Sequence, residues 1–173
     1  MSLDDDLLNA ELGETNDVFR LSRVGELKLA SYRMFAQAKK TIDIFSYDLD
    51  PRVLSDREIE QAVLTLVKRS RHSRVRMLVF ETTALQGVDH RLISLLQSFS
   101  SYITLKVLSK NYQTIPFSFY LVDDAGLIYR SNHNELETQV FFNEKLKVKD
   151  YQKQFDEMWE QSRIASEFRT LGI

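Results

Sequence analysis

The sequence predicts one α/β domain built on a mixed sheet of six or seven strands, with helices on both faces. Between residues 41 and 108, segments with strand and helix periodicity alternate in the order β-α-β-α-β, which requires parallel strands joined by crossovers. Three apolar runs then follow between residues 115 and 143, and the gaps between them are too short for crossovers. These later strands are therefore expected to pair antiparallel.

The first 20 residues are predicted to form a mobile acidic tail, followed by the domain at 21–173. Residues 1–17 contain six acidic residues and no Lys or Arg, a composition typical of segments that bury little apolar surface. The rest of the chain has 19 acidic and 23 basic residues, while the whole chain has a net charge of −2. That charge predicts no global attraction to nucleic acid or to anionic lipid.

The first predicted helix begins at Leu21 and ends at the Lys39-Lys40 pair, because apolar residues recur every three or four positions and cations suit a helix C-terminus. The first strand, 41–47, is β-branched and aromatic. Pro51 then excludes the helical conformation at Asp50.

Two helix–strand pairs and a final helix complete the pattern. Ser55 or Asp56 is expected to cap the second helix, and Asp89 is expected to open the third. The strands that follow these helices are predicted at 75–80 and 103–108, and the final helix runs from about Val148 to Trp159 before a tail with Ile164, Phe168 and Leu171.

Several classes of protein are excluded or disfavoured by composition. No apolar run approaches the roughly 18–20 residues needed to cross a bilayer, and the N-terminus lacks the basic-then-apolar pattern of a signal peptide. The absence of Cys excludes disulfides and thiolate metal sites. We therefore expect a cytoplasmic protein.

The run IPFSFYLVDDAGLIYRSNHNELETQVFFN, residues 115–143, carries the most specific pattern in the chain. It reads as strand, acidic turn, strand, with Gly126 expected to supply a positive φ in the turn. The segment resembles the catalytic motif of the phospholipase D superfamily, H-x-K, four residues, D, a second strand and G-S-x-N. Aligning that motif on Asp123 places its His at Pro116, its Lys at Ser118 and its Asn at Asn132.

The resemblance extends over residues 21–162, about half of the usual two-motif enzyme, and includes the F-D-x-x-W pattern at 155–159. The run Ser46–Arg52 also resembles an uncharacterised bacterial family of such half-domains. In some members of that family the domain follows an acetyltransferase-like domain, which this chain lacks. The resemblance thus implies a phospholipase-D-like fold and a protein partner of that kind.

The resemblance also implies that the family chemistry is absent. In the family a His attacks the phosphodiester, a second His protonates the leaving group, the Lys stabilises the phosphoryl oxygens, and the Asp orients the imidazole. Pro116 has no nucleophile and Ser118 has no positive charge. Because removing one member of such a unit costs several orders of magnitude in rate, we expect no catalysis from this motif.

A second group of polar residues follows the first and second strands, where open α/β sheets bind ligands. The candidate pocket residues are Tyr47, Asp48, Asp50, Arg52, Glu81, His90 and Arg91, with Asn132 as a neighbour. The interpretation that the residue types favour over a pocket is that the two aspartates are turn residues, Arg52 their ion partner and Asp89-His90 a helix start. No spacing here is diagnostic of a metal site, so we expect neither a metal nor a cofactor.

The densest basic run is Lys68–Arg76. It could bind nucleic-acid phosphates, but cations at a helix end also complement the helix dipole while solvated, so nucleic acid is the less favoured partner. His72 is expected at the surface, and His133, in a turn, is too isolated to be a catalyst.

Three functions follow from these interpretations. The leading one is a non-catalytic phospholipase-D-like module that binds, scaffolds or regulates. The alternatives are a hydrolase or phosphodiesterase with a displaced site near Asp48, Asp50 and His90, and a nucleic-acid-binding module. We also expect a homodimer or a protein contact through the motif strands, because Ile115, Phe117, Tyr129 and Phe142 read as exposed apolar side chains.

Overall fold

Eight strands form one mixed sheet in the computed structural model, which describes residues 2–168. The strands are β1 (Val18–Leu21), β2 (Thr41–Ser46), β3 (Arg74–Val79), β4 (Ile103–Val107), β5 (Ser118–Val122), β6 (Gly126–Arg130), β7 (Thr138–Phe141) and β8 (Arg163–Ile164). The helices are α1 (Leu3–Asn9), α2 (Val24–Ala36), α3 (Arg57–Arg69), α4 (Arg91–Ser98) and α5 (Lys145–Glu160). The predicted Leu171 lies outside the described residues.

The strand order is β1-β7-β6-β5-β2-β3-β4-β8. Strands β2, β3 and β4 are parallel, as the crossover helices α3 and α4 require. Strand β5 pairs antiparallel with β2, and β5, β6 and β7 continue as an antiparallel meander. The predicted mixed α/β sheet is confirmed, with eight strands instead of six or seven because β1 and β8 were not foreseen.

Helices cover both faces of the sheet, and each face has its own core. One core combines apolar residues of α1 to α4 with one side of the strands. The other core lies under α5 alone and is rich in aromatic residues. Its buried members are Phe45, Leu78, Phe80, Leu108, Phe119, Leu121, Leu127, Phe141, Val148, Phe155, Met158 and Trp159.

The N-terminal segment is part of the domain, which corrects the prediction of a tail at residues 1–20. Ser2 caps α1 through the Asp5 amide, and Leu7 is fully buried against the core of α2. Strand β1 pairs antiparallel with β7, so Leu21 lies in a strand and the next helix begins at Val24. The sequence did not predict α1 because its buried residue, Leu7, lies among several acidic residues.

The turn between β5 and β6 is also built differently from the prediction. The positive φ belongs to Asp123, at 51°, and Gly126 is in ordinary backbone. A Cβ on Gly126 would lie 2.7 Å from the Met34 sulfur and 2.8 Å from Leu12 Cδ1. The glycine therefore permits close approach of the sheet to α2 and to the N-terminal segment.

A buried ion pair joins the central strands to α5. Asp43 on β2 lies beside Arg76 on β3, and the guanidinium donates two hydrogen bonds of 2.8 Å to that carboxylate. Arg76 also donates to Asp156 on α5, and Gln152 of the same helix donates to Asp43. The Asp43 side chain is 1% exposed, so its charge depends on these donors.

We expect Arg76→Ala to lower the free energy of unfolding by about 3–5 kcal/mol, because it leaves the Asp43 charge buried without its main partner. Arg74 is the matched control. It also approaches Asp43, at 3.9 Å, but its side chain is 50% exposed, so Arg74→Ala should cost about 1 kcal/mol or less. Urea unfolding measures both values, and equal losses would contradict this account.

Candidate functional site

A polar cleft of about 340 Å³ lies at the carboxyl end of β2, next to the first residue of β5. It is lined by Ser46, Tyr47, Asp48, Asp50, Pro51, Arg52, Ser118, Arg130, His133 and Asn134. Three separate segments of the chain therefore contribute to it. Of the predicted pocket residues, Tyr47, Asp48, Asp50 and Arg52 are among them.

The loop after β2 presents its two aspartates to the cleft. Between them, Leu49 adopts a left-handed conformation with φ of 58° and buries its side chain completely. This conformation is unusual for a bulky residue and is held by surrounding contacts. The Ser46 hydroxyl accepts a hydrogen bond from the Leu49 amide, and the Leu49 carbonyl is hydrogen-bonded to the His90 ring.

Asp50 binds both arginines of the cleft. Arg52 donates to its two carboxylate oxygens at 3.0 and 2.9 Å, and Arg130 approaches the second oxygen at 3.4 Å. Burial opposes the ionisation of Asp50, but the hydrogen bonds and charge of Arg52, with the charge of Arg130, outweigh it and lower the pKa of Asp50. Asp50 is therefore ionised and holds the two guanidinium groups in place through its ion pairs.

Asp48 has the opposite electrostatic environment. Burial raises the pKa of Asp48, and the charges of Asp50 and Glu81 add to this effect, outweighing the hydrogen bond from the Asp50 amide and the charge of Arg130. Asp48 makes no ion pair with any residue between 2 and 168. It is thus the cleft carboxylate that remains open to a ligand.

His133 lies in the cleft, contrary to the prediction that it is isolated. Its ring stacks on Tyr47, with centroids 4.7 Å apart, and meets the edge of Phe80 at 5.3 Å. Burial lowers the pKa of His133, and the charge of Arg130 lowers it further, so the imidazole is neutral at physiological pH. Its Nδ1 atom is buried and has no hydrogen-bond partner among residues 2–168.

The residues aligned with the family motif lie at opposite ends of β5. Ser118 lines the cleft, and the Pro116 carbonyl accepts the His133 amide at 2.8 Å. Asn132 supports the loop behind the cleft by accepting the Asn134 amide. Asp123 lies at the far end of β5, roughly 16 Å from Ser118 along the extended strand, where it cannot orient a group in the cleft.

Asp123 instead has a structural role. Its carboxylate accepts hydrogen bonds from the backbone amides of Lys39, Lys40 and Thr41, at 2.8 to 3.0 Å. These bonds tie the β5–β6 turn to the start of β2 across more than 80 residues of sequence.

Three predicted pocket residues do not line the cleft. Glu81 accepts the Thr83 amide in the loop after β3. Arg91 is on the exposed side of α4, bonded to Ser55 and Glu60.

The third, His90, is 2% exposed and caps α4, the place predicted for Asp89. Its Nδ1 accepts the Leu92 amide, so Nε2 carries the hydrogen and donates to the Leu49 carbonyl. Both ring nitrogens are occupied, and His90 positions the cleft loop from behind.

The basic run Lys68–Arg76 lies near the amino ends of the parallel strands, opposite the cleft, around the end of α3 and the start of β3. Lys68, Arg69 and Arg71 are exposed, as is His72. Arg74 and Arg76 approach the buried Asp43, so part of the run serves the fold.

The comparisons with known proteins agree with this architecture. Residues 24–171 match the family described as Domain of unknown function (DUF7931). The chain belongs to this family. No curated protein matches it significantly. Within residues 2–168 of this DUF7931 protein, no helix is long and apolar enough to cross a membrane.

Solved structures show the phospholipase-D-like fold. Nuc from Salmonella typhimurium, a phospholipase D family member, is 18% identical with a TM-score of 0.61, covering 89% of this chain and 97% of its own. NucT from Helicobacter pylori is 16% identical with a TM-score of 0.60, covering 87% and 98%. TrmBL2, an archaeal chromatin protein, is 16% identical with a TM-score of 0.63; the match covers 93% of this chain but only 58% of TrmBL2. The fold implied by the motif is confirmed.

We predict a pH dependence of stability that depends on His90. Burial lowers its pKa in the folded protein, and the bond to the Leu49 carbonyl only partly offsets this effect. In the unfolded chain the pKa of this imidazole is about 6.5. At a pH between the folded and the unfolded pKa, only the unfolded state takes up the proton. Unfolding free energy should therefore fall as pH falls from about 6.5 toward the folded value.

Urea unfolding at a series of pH values tests this prediction. The variant His90→Asn keeps a residue that can cap α4 and should show a shallower loss of stability over that window. His72→Asn removes an exposed histidine and serves as the control. Identical pH profiles for the wild-type protein and His90→Asn would refute the assignment.

Proposed function

We propose that this protein is a non-catalytic phospholipase-D-like module whose cleft binds a ligand without cleaving it. The observation that carries the proposal is the identity of the groups at the cleft. The strand position aligned with the family's Lys is Ser118, and the position aligned with its His is Pro116, whose backbone carbonyl supports the His133 loop. Neither side chain can attack phosphorus or neutralise phosphoryl oxygens.

The charges of the cleft support the same proposal. A phosphodiester site needs cations that are free to contact the phosphoryl oxygens. Here Arg52 and Arg130 both bind Asp50, and the Asp48 carboxylate stands beside them. The two aspartates offset the two arginines, so the cleft lacks both a nucleophile from the motif and the net positive charge that favours a phosphoryl group.

Hydrolysis from a displaced site is the second candidate, and His133 is the one observation in its favour. The version of this alternative that uses His90 does not fit, because both nitrogens of that ring are hydrogen-bonded within the fold. The His133 ring borders the cleft, close to Arg130 and Asp48. A neutral imidazole in that position could act as a base or nucleophile.

A phosphodiesterase assay separates the two candidates. We expect the wild-type protein to leave a bis-aryl phosphodiester unhydrolysed, at the rate of the buffer blank, since the nucleophile and the free cation are missing. Hydrolysis that His133→Ala abolishes and the control His72→Ala retains would overturn the proposal in favour of the displaced site. Circular dichroism of each variant checks that it is folded.

Nucleic-acid binding has less support. TrmBL2 is described as having a novel mode of DNA binding, but a likeness at 16% identity is one of fold. The basic run of this chain commits Arg76 to the buried Asp43. The exposed cations that remain lie near the end of α3, where they complement the helix dipole.

We also propose that the motif strands mediate association, through a smaller surface than the sequence predicts. Phe142 is fully buried and does not belong to it. Phe117 and Tyr129 are half-buried and pack on each other and on Tyr151 of α5, with ring centroids 5.4 to 6.4 Å apart. Ile115 is half-buried beside them.

Sedimentation velocity at tens of micromolar tests the association. We expect a homodimer, because a half-exposed aromatic cluster costs little to desolvate. Ile115→Lys should shift the protein to a monomer by placing a charge at the rim of the cluster. Val88→Lys, at a 57% exposed residue outside the cluster, is the control and should remain dimeric. A wild-type monomer would exclude the homodimer.

A further inference from the structure

One charged side chain in the cleft makes no ion pair within the described part of the chain. Of the four charged side chains that line it, Asp50, Arg52 and Arg130 form one ion-paired group. Asp48 is outside that group and makes no ion pair with any described residue. The cleft therefore offers a carboxylate to an incoming ligand.

An aromatic wall stands next to this carboxylate. Tyr47 directly precedes Asp48 and is 39% exposed, although its ring is supported by His133 and by Phe80, with centroids 4.7 and 5.2 Å away. A rigid, partly exposed tyrosine ring beside a carboxylate is a favourable environment for an organic cation, because the ring face attracts positive charge.

We infer that the cleft binds a small organic cation, an ammonium or guanidinium compound, with Asp48 as its counter-ion and the Tyr47 ring against it. This inference rests on the proposed binding function of the cleft and specifies the ligand class. The volume of about 340 Å³ is near the lower end for ligand pockets, roughly 300–1,000 Å³. The ligand is therefore a single small molecule.

The charges that line the cleft balance, two aspartates against two arginines, so the contacts that remain free decide which ligand it favours. The guanidiniums of Arg52 and Arg130 donate to Asp50, which leaves them fewer N–H groups for a ligand anion. The hydroxyl of Ser118 and the amide of Asn134 can accept hydrogen bonds from ligand N–H groups. Burial and the charges of Asp50 and Glu81 raise the pKa of Asp48, and a bound cation would join the charge of Arg130 in opposing that shift.

The experiment titrates the isotope-labelled full chain with agmatine, which carries a guanidinium and an ammonium, and follows the backbone amides by NMR. We expect saturable shifts for residues 46–50, for Arg52 and for residues 130–134. Asp48→Asn should weaken agmatine about tenfold or more, since a hydrogen bond to a charged group contributes about 1.5–3 kcal/mol. Tyr47→Leu should also weaken it by removing the ring face.

The matched control is Asp124→Asn, which removes an exposed carboxylate in the β5–β6 turn, at the other end of β5. This variant should bind agmatine with unchanged affinity. A second titration uses inorganic phosphate, which we expect not to saturate the same amides. Agmatine affinity should also fall as the pH is lowered and Asp48 becomes protonated.

Each other outcome overturns the inference. Agmatine that fails to shift the cleft amides, or that binds Asp48→Asn as tightly as the wild-type protein, excludes a cation site at Asp48. Phosphate that saturates the cleft and is lost on Arg130→Gln reassigns the cleft to anions but leaves the proposed binding function intact. The binding function itself fails only in the separate assay, by hydrolysis that depends on His133.

Discussion

The antiparallel pairing of β5 with β2 is the constraint on which the cleft depends. Because β5 runs against β2, its first residues lie beside the last residues of β2, and Ser118 therefore reaches the loop that carries Asp48 and Asp50. The β5–β6 hairpin then returns Arg130 to the same edge, directly opposite Ser118. A parallel β5 would have placed the Asp123 turn there instead. The polar cleft is thus a product of topology, formed by segments that are distant in sequence.

The sequence predicted those parts of the fold whose burial is periodic and long enough to be recognised. Helix α3 is the clearest case, with a buried face of Ile59, Ala62, Val63, Leu66 and Val67 and a cap at Asp56, one of the two predicted caps. Helix α1 and strand β1 were not predicted because each buries only a few side chains among many charges. Strand β8 was not predicted because it has only two residues. Their stability comes from tertiary partners, which local periodicity does not report.

The candidate site was predictable only where one general rule applies. The rule that ligands bind beyond the carboxyl ends of parallel strands selected Tyr47, Asp48, Asp50 and Arg52, and these residues line the cleft. The same rule selected Glu81 and His90, which do not line the cleft, since the direction of a loop side chain depends on contacts that the sequence does not specify. Arg130 and His133 were missed because they belong to the antiparallel meander. The backbone bond from His133 to the Pro116 carbonyl, which brings that loop to the cleft, has no sequence signature.

The contribution of α1 and β1 has a consequence for where the domain should be cut. The family match begins at residue 24, yet β1 supplies the hydrogen-bonding partner of β7, and Leu12 packs against Gly126. A fragment that starts at residue 24 would expose the full edge of β7 and the apolar surface beneath α1. Open strand edges recruit strands from other molecules. The segment before residue 24 therefore covers an edge that would otherwise favour aggregation. The folding unit thus includes residues that precede the family match.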